Sequence, residues 1–202
     1  MYCFGDSCAS FTGNMMSFMY LIIIVHLFLK YVLPWNENRK SLVVLQDPIL
    51  NNLPVIKMGS IISLLSMLNV LAFVISWWCI QNQEEKYRIG FSHHLTLANL
   101  YLLKTLCMFL CPLRICPKAN PLQDDFIHFL SGNKSFQNDL FFSGHFAYAY
   151  LVSCLFPSNI VCCILPFFVG TCLILSKTHY TVDLLMAVFM TQTSLRITSR
   201  FF

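Results

Sequence analysis

Residues 58–80 read MGSIISLLSMLNVLAFVISWWCI, with no charged side chain from end to end. As a helix the stretch is roughly 34 Å long at 1.5 Å per residue, a match to a bilayer hydrocarbon core of about 30 Å. It closes on Trp77 and Trp78, a pair suited to the membrane–water interface. Outward from it, residues 15–33 form a second long apolar run, ended by Pro34. Four shorter runs follow at about 95–110, 140–156, 159–175 and 180–197, with Pro112 and Pro157 as stops. Short segments that carry polar residues belong in the middle of a bundle, where neighbours satisfy those groups. The pattern predicts an all-α fold: a polytopic membrane protein, a six-transmembrane-helix bundle forming a single membrane domain, 1–202, with its working core at about 95–197.

Composition agrees. The chain is 57% hydrophobic and 11% charged, less than half the roughly 25% of soluble domains. The net charge of +4 sits largely in the connecting loops, which suits anionic headgroups. No stripe of interleaved basic and aromatic residues is present, so nucleic acid is excluded as a partner. The first apolar run is too long for a signal peptide and lacks a basic leader and a small-residue cleavage site, so it reads as a retained span. Most of the ten cysteines lie inside apolar runs and read as small hydrophobes. Cys111 with Cys116, and Cys3 with Cys8, are the pairs placed to form a disulfide on an oxidising side. None has zinc-site spacing.

Six spans put both termini on one side and the N-terminal ends of the fourth and sixth spans together on the other. Each of those ends carries a histidine string: Phe142-Ser143-Gly144-His145 and His179-Tyr180-Thr181-Val182-Asp183. His179 and Asp183 are four apart, so on a helix they share a face. A carboxylate there can take the proton of one ring nitrogen and leave the other free to attack. Asp183 is also an ionisable group within an apolar segment, which marks a functional site. Ser143 suits an N-cap, free N–H groups of a first helical turn bind anionic oxygens, and Gly144 lets a phosphate approach the backbone. His145 is placed to protonate a leaving oxygen. Lys104, a second charge within an apolar run, is a candidate for a phosphate oxygen, with Lys177 and Arg114 as weaker ones. The chemistry requires no metal and no cofactor.

The two strings resemble the Asp-x-x-Phe-Ser-Gly-His-Thr and His-Tyr-Thr-Val/Ile-Asp elements of the sphingomyelin-synthase-like branch of the type 2 phosphatidic acid phosphatase superfamily. The first match begins at Asp139, a secondary site candidate; Lys104 with Cys107-Met108 and Cys111-Pro112 resembles a weaker third element. The resemblance runs from about 47 to 195. It implies six helices, cytosolic termini and a His145–His179–Asp183 triad in which His179 forms a phospho-enzyme. His145 then activates the acceptor, a lipid hydroxyl in a transferase or water in a phosphatase. The chain departs from the pattern at Phe146, where Thr is usual. It departs again at Leu173, where the superfamily has Arg six residues before the second histidine, and at Lys104 in place of Arg.

The resemblance therefore implies a lipid phosphotransferase of sphingolipid metabolism that moves a phosphocholine- or phosphoethanolamine-type headgroup between membrane phospholipids and sphingolipids. A lipid phosphate phosphatase is the alternative, and a catalytically silent lipid-binding protein, motivated by the departures, a second one. Homo-oligomerisation is left open. The expected location is an endomembrane (ER/Golgi) or the plasma membrane, with the site on the lumenal or outer face. One feature opposes that orientation. Arg39, Lys40, Lys57, Arg114, Lys118, Lys134 and Lys177 lie on the site's side, against Lys86, Arg88, Arg196 and Arg200 opposite, and basic loops favour the cytosol.

Overall fold

The computed structural model describes residues 11–39, 43–111, 113–117, 119 and 140–201. Their regular structure is helical apart from one two-residue strand pair. Helix α1 (Phe11–Leu27) runs through a π-helical turn (Phe28–Val32) into α2 (Leu33–Glu37). Strand β1 (Val43–Val44) and the short α3 (Pro48–Asn52) precede α4 (Gly59–Trp78) and α5 (Gln83–Leu110). Strand β2 (Leu113–Arg114) pairs with β1 in parallel. Helices α6 (Gly144–Leu155), α7 (Ile160–Leu175) and α8 (Thr181–Thr198) complete the bundle, with a last 3₁₀ turn at Ser199–Phe201.

Three expectations are corrected. Pro34 does not end the first helix: it occupies the first turn of α2. A proline cannot donate to the carbonyl one turn before it, and a π-helical turn, whose closing bond runs from the Leu33 N–H to the Phe28 carbonyl, lies just upstream. Helix α5 starts not at 95 but at Gln83. Asn82 caps it by accepting from the N–H groups of Glu84 and Glu85 at 2.9 and 3.3 Å, and the two glutamates suit the helix's positive end. The fourth segment is helical only over Gly144–Leu155. Twelve residues reach about 18 Å, short of a bilayer core. Ser143 begins it and Pro157 follows its end.

Short α6 sits in the middle, against α4, α5, α7 and α8, while α1 packs along α5. Ala147, Ala149, Leu151 and Val152 of α6 are buried. Small residues let α6 approach its neighbours closely. Gly170 of α7 does the same from the other side: a Cβ there would lie 2.9 Å from Phe146 Cε2 and 3.1 Å from Leu184 Cδ2. At the far end of α5, a Cβ on Gly90 would lie 2.6 Å from Asn14 Oδ1, so the glycine admits α1. The Asn14 side chain donates to the Tyr87 carbonyl there at 2.7 Å.

The apolar face of the bundle points outward. Met67, Phe167, Leu185 and Phe189 are each more than 60% exposed. The segments Phe11–Glu37 and Gly59–Trp78 are long and apolar enough to cross a membrane, with mean hydropathy 2.0 and only 17% of the apolar window buried in each. A soluble core helix would bury most of that window. An exterior of this kind supports membrane association. Trp77 and Trp78 end α4 with Lys86 above both rings at 4.8 Å, an interfacial arrangement.

Candidate active site

The turn joining α7 to α8 carries His179. Ser176 Oγ and Thr178 Oγ1 both donate to the Leu173 carbonyl, at 3.1 and 3.4 Å, and Lys177 takes a left-handed backbone with φ 56°. Every residue from Ser176 to Tyr180 is buried. Helix α8 then starts behind Tyr180. Asp183, in its first turn, is fully buried and uses one oxygen, Oδ2, twice: it accepts from His179 Nδ1 and from the Tyr180 N–H, both at 3.1 Å. The carboxylate thus caps the helix and orients the histidine together. A carboxylate only accepts, so the contact places a proton on Nδ1, and in the neutral ring Nε2 is then the nitrogen with the lone pair a nucleophile needs.

The second string folds beside the first. Ser143 is the N-cap of α6 and accepts from the Phe146 N–H at 3.3 Å. Its own N–H donates to the Asp183 carbonyl at 3.3 Å, which ties the starts of α6 and α8 together. His145, half-buried, is the second residue of α6. Phe141, two residues before Ser143, has φ 95°. Among the described residues only Phe141 and Lys177 are non-glycine with positive φ, and each lies two positions ahead of a site residue. Strain of this kind is kept where surrounding structure over-determines it, often at functional sites.

Lys104 comes from α5. It is 4% exposed, and its Nζ lies 3.4 Å from the position a Gly144 Cβ would take and 5.5 Å from the Phe142 ring centre. The buried Lys104 side chain and the positive end of α6 therefore meet at Gly144. Such a pairing suits an anion.

A roof covers this end of the bundle. Tyr180 OH donates to the Arg114 carbonyl at 2.8 Å and accepts from the Leu45 N–H at 3.2 Å. The Ile56 N–H donates to the Leu175 carbonyl at 2.9 Å. Asp47 accepts from the Thr181 N–H at 2.7 Å through Oδ2 and from the Leu50 N–H at 3.0 Å through Oδ1. Burial pushes the Asp47 carboxyl up, but these backbone donors outweigh it and hold the group below the ordinary aspartate range.

Of the predicted residues, Ser143, Gly144, Lys104, His179 and Asp183 are brought to one place, with His145 in the same helical turn as Gly144. Lys177 is in the buried turn, 2% exposed. Arg114 has an exposed side chain; its placed contribution is its carbonyl. Leu173, where the family pattern has Arg, is a fully buried core residue. Phe146 packs into the seam between α7 and α8. Asp139 lies outside the described residues, as do Lys40, Lys118, Lys134 and the Cys3–Cys8 pair. Cys111 and Cys116 are free thiols. No group of three metal-ligating side chains occurs among the described residues. The sequence reading missed Asp47 and Tyr180. Asp47-Pro48 does announce a helix start, an N-cap before a first-turn proline, but not what the cap's second oxygen touches. Compared with family models and with curated proteins, the chain gives no match.

Proposed function

We propose that the chain is a multi-pass membrane enzyme that moves a phosphate-bearing headgroup between lipids through phospho-His179. The observation that carries the reading is the buried His179–Asp183 pair, tied by the Ser143–Asp183 bond to a second helix start beside a buried lysine. In the first step His179 Nε2 attacks phosphorus. The P–N bond forms, the phosphoester P–O bond breaks, and the leaving lipid alkoxide takes a proton from His145. Lys104 and the α6 N-terminus hold the non-bridging oxygens. In the second step the now neutral His145 removes the proton of an acceptor hydroxyl, whose oxygen attacks phosphorus and releases His179. With a lipid hydroxyl as acceptor the enzyme is a transferase of the sphingomyelin-synthase type; with a phosphomonoester such as phosphatidic acid as donor and water as acceptor it is a lipid phosphatase.

The six-span arrangement and a site on the lumenal or outer face belong to this proposal. A lipid substrate reaches such a site sideways from the bilayer. Purified protein is assayed on phosphatidylcholine and phosphatidylethanolamine with and without ceramide or diacylglycerol, and on phosphatidic acid. A headgroup-bearing product is the expected result; free phosphate instead identifies the phosphatase. Lipid binding with no turnover would identify the silent alternative, which Phe146 and Leu173 favour. Full turnover by H179A would remove the mechanism.

A further inference from the structure

We infer that Asp47, 134 positions before Thr181 in the chain, is a positioning residue that holds the nucleophile His179 in its attacking orientation. The inference rests on the phospho-histidine reading. The start of α8 has two carboxylates on consecutive N–H groups. Asp183 takes the Tyr180 N–H and Asp47 takes the Thr181 N–H, at 2.7 Å. The same end is therefore occupied, and the phosphate falls to α6 and Lys104. Asp47 itself is fixed. It is 7% exposed, its other oxygen caps α3, and its carbonyl accepts from the Asn51 N–H. The parallel strand pair and the Leu45–Tyr180–Arg114 chain of bonds brace the same loop. The backbone that carries His179 is thereby clamped on one side by Asp183 from within α8, and on the other by Asp47 from a distant loop. A loss of about 1 Å in placement can cost some hundredfold in rate, so the clamp matters to the attacking atom more than to the resting phosphate.

Two ligands separate those effects. Inorganic phosphate needs Lys104 and the α6 N-terminus. Orthovanadate, which takes up the five-coordinate geometry of phosphoryl transfer, also needs Nε2 in line. D47N, which removes the charge and leaves one acceptor oxygen for two N–H groups, is expected to weaken vanadate binding about tenfold while phosphate affinity stays within about twofold of wild type. T181P removes the Thr181–Asp47 bond from the donor's side. Proline suits the first helical position, and Tyr180, at φ −75° and ψ 156°, already has the backbone a residue before proline adopts. T181P should match D47N, and the double variant should be no worse than either. N52A, in the same loop on an exposed residue, should bind both ligands as wild type does. Unchanged vanadate affinity in D47N and T181P overturns the inference, and so does an equal loss of both ligands, which means a merely structural role. Should D47N fail to fold, T181P alone decides by the same two affinities. H179A that binds vanadate like wild type would instead sink the phospho-histidine reading, whatever Asp47 does.

Discussion

At the scale of single residues, Asp183 does two jobs with one oxygen, and D183N keeps the acceptor while removing the charge. An amide oxygen in the Oδ2 place can still accept both N–H groups, but the negative charge that holds the Nδ1–H tautomer and stabilises the positive ring formed when Nε2 attacks is gone. Loss of the carboxylate partner in a comparable His–Asp pair costs about 10⁴ in rate. Turnover of D183N is expected to fall by about 10³–10⁴-fold, with KM little changed, in steady-state kinetics. A fall under tenfold would show that Asp183 is only a cap. The Phe146–Gly170 contact gives a second test. Adding a methyl group at Gly170 drives it into Phe146 at 2.9 Å, and overpacking costs about 1–3 kcal/mol. G170A should lower the melting temperature in detergent, and most of that loss should vanish in an F146A background. Phe146 therefore reads as half of a packing pair. The His179–Asp183 pair was legible in the sequence because the two residues are only four apart, although the contact forms at the helix start, with His179 in the turn ahead of Thr181, and not along a helix face as the spacing suggested. Asp47 was not, because its partner is made adjacent only by tertiary folding.

At the scale of elements, apolarity located the helices and misplaced their starts. It follows burial in lipid or protein, whereas a helix start follows capping. The first three turns of α5 are polar, yet Asn82 followed by Glu84 and Glu85 is a capping signature that could have been read. N82A is expected to cost about 0.5–2 kcal/mol of stability, seen as faster amide exchange over 83–90, while turnover stays unchanged because Lys104 lies about six turns on. The roof has its own signature in pH. The carboxyl of Asp47 is held below its ordinary pKa in the folded state. Its stabilising share is therefore complete above the unfolded value of about 3.9 and is lost as the pH falls through the lower folded one. Amide exchange over 178–185 should be flat from neutral pH to about pH 5 and accelerate below about pH 4 relative to the chemical exchange rate. D47N should show raised exchange throughout and no such acid step. An acid step that survives in D47N would assign it to another carboxylate.

At the scale of the whole molecule, α6 sets the depth of the site. Its far end turns at Pro157, where Asn159 bonds Ser76 at 2.8 Å, next to Trp77 and Trp78 at the end of α4. If those tryptophans mark one interface, the α6 start stands about 18 Å above it, or about 12 Å short of the other side of a 30 Å core. The reaction centre is then recessed, and the roof of loop segments fills the remaining depth. Under the proposed function, the scissile phosphate of a lipid would lie below its usual plane and be reached laterally between helices. It also bears on orientation. Lys177 is 2% exposed and faces neither leaflet, so the basic residues on the site's side fall from seven to six against four, and the bias toward the cytosol weakens. The expectation is a pair of terminal epitope tags cleaved together by protease from the cytosolic side of sealed vesicles, with a tag inserted in 120–139 protected. Tags on opposite sides would mean an odd number of crossings. The starts of α6 and α8, held together by the Ser143–Asp183 bond, would still share a face, but the roof and the termini would no longer be assigned to opposite leaflets. A protected pair of terminal tags with a cleaved internal one would keep the six crossings and turn the site toward the cytosol, as the remaining charge count favours.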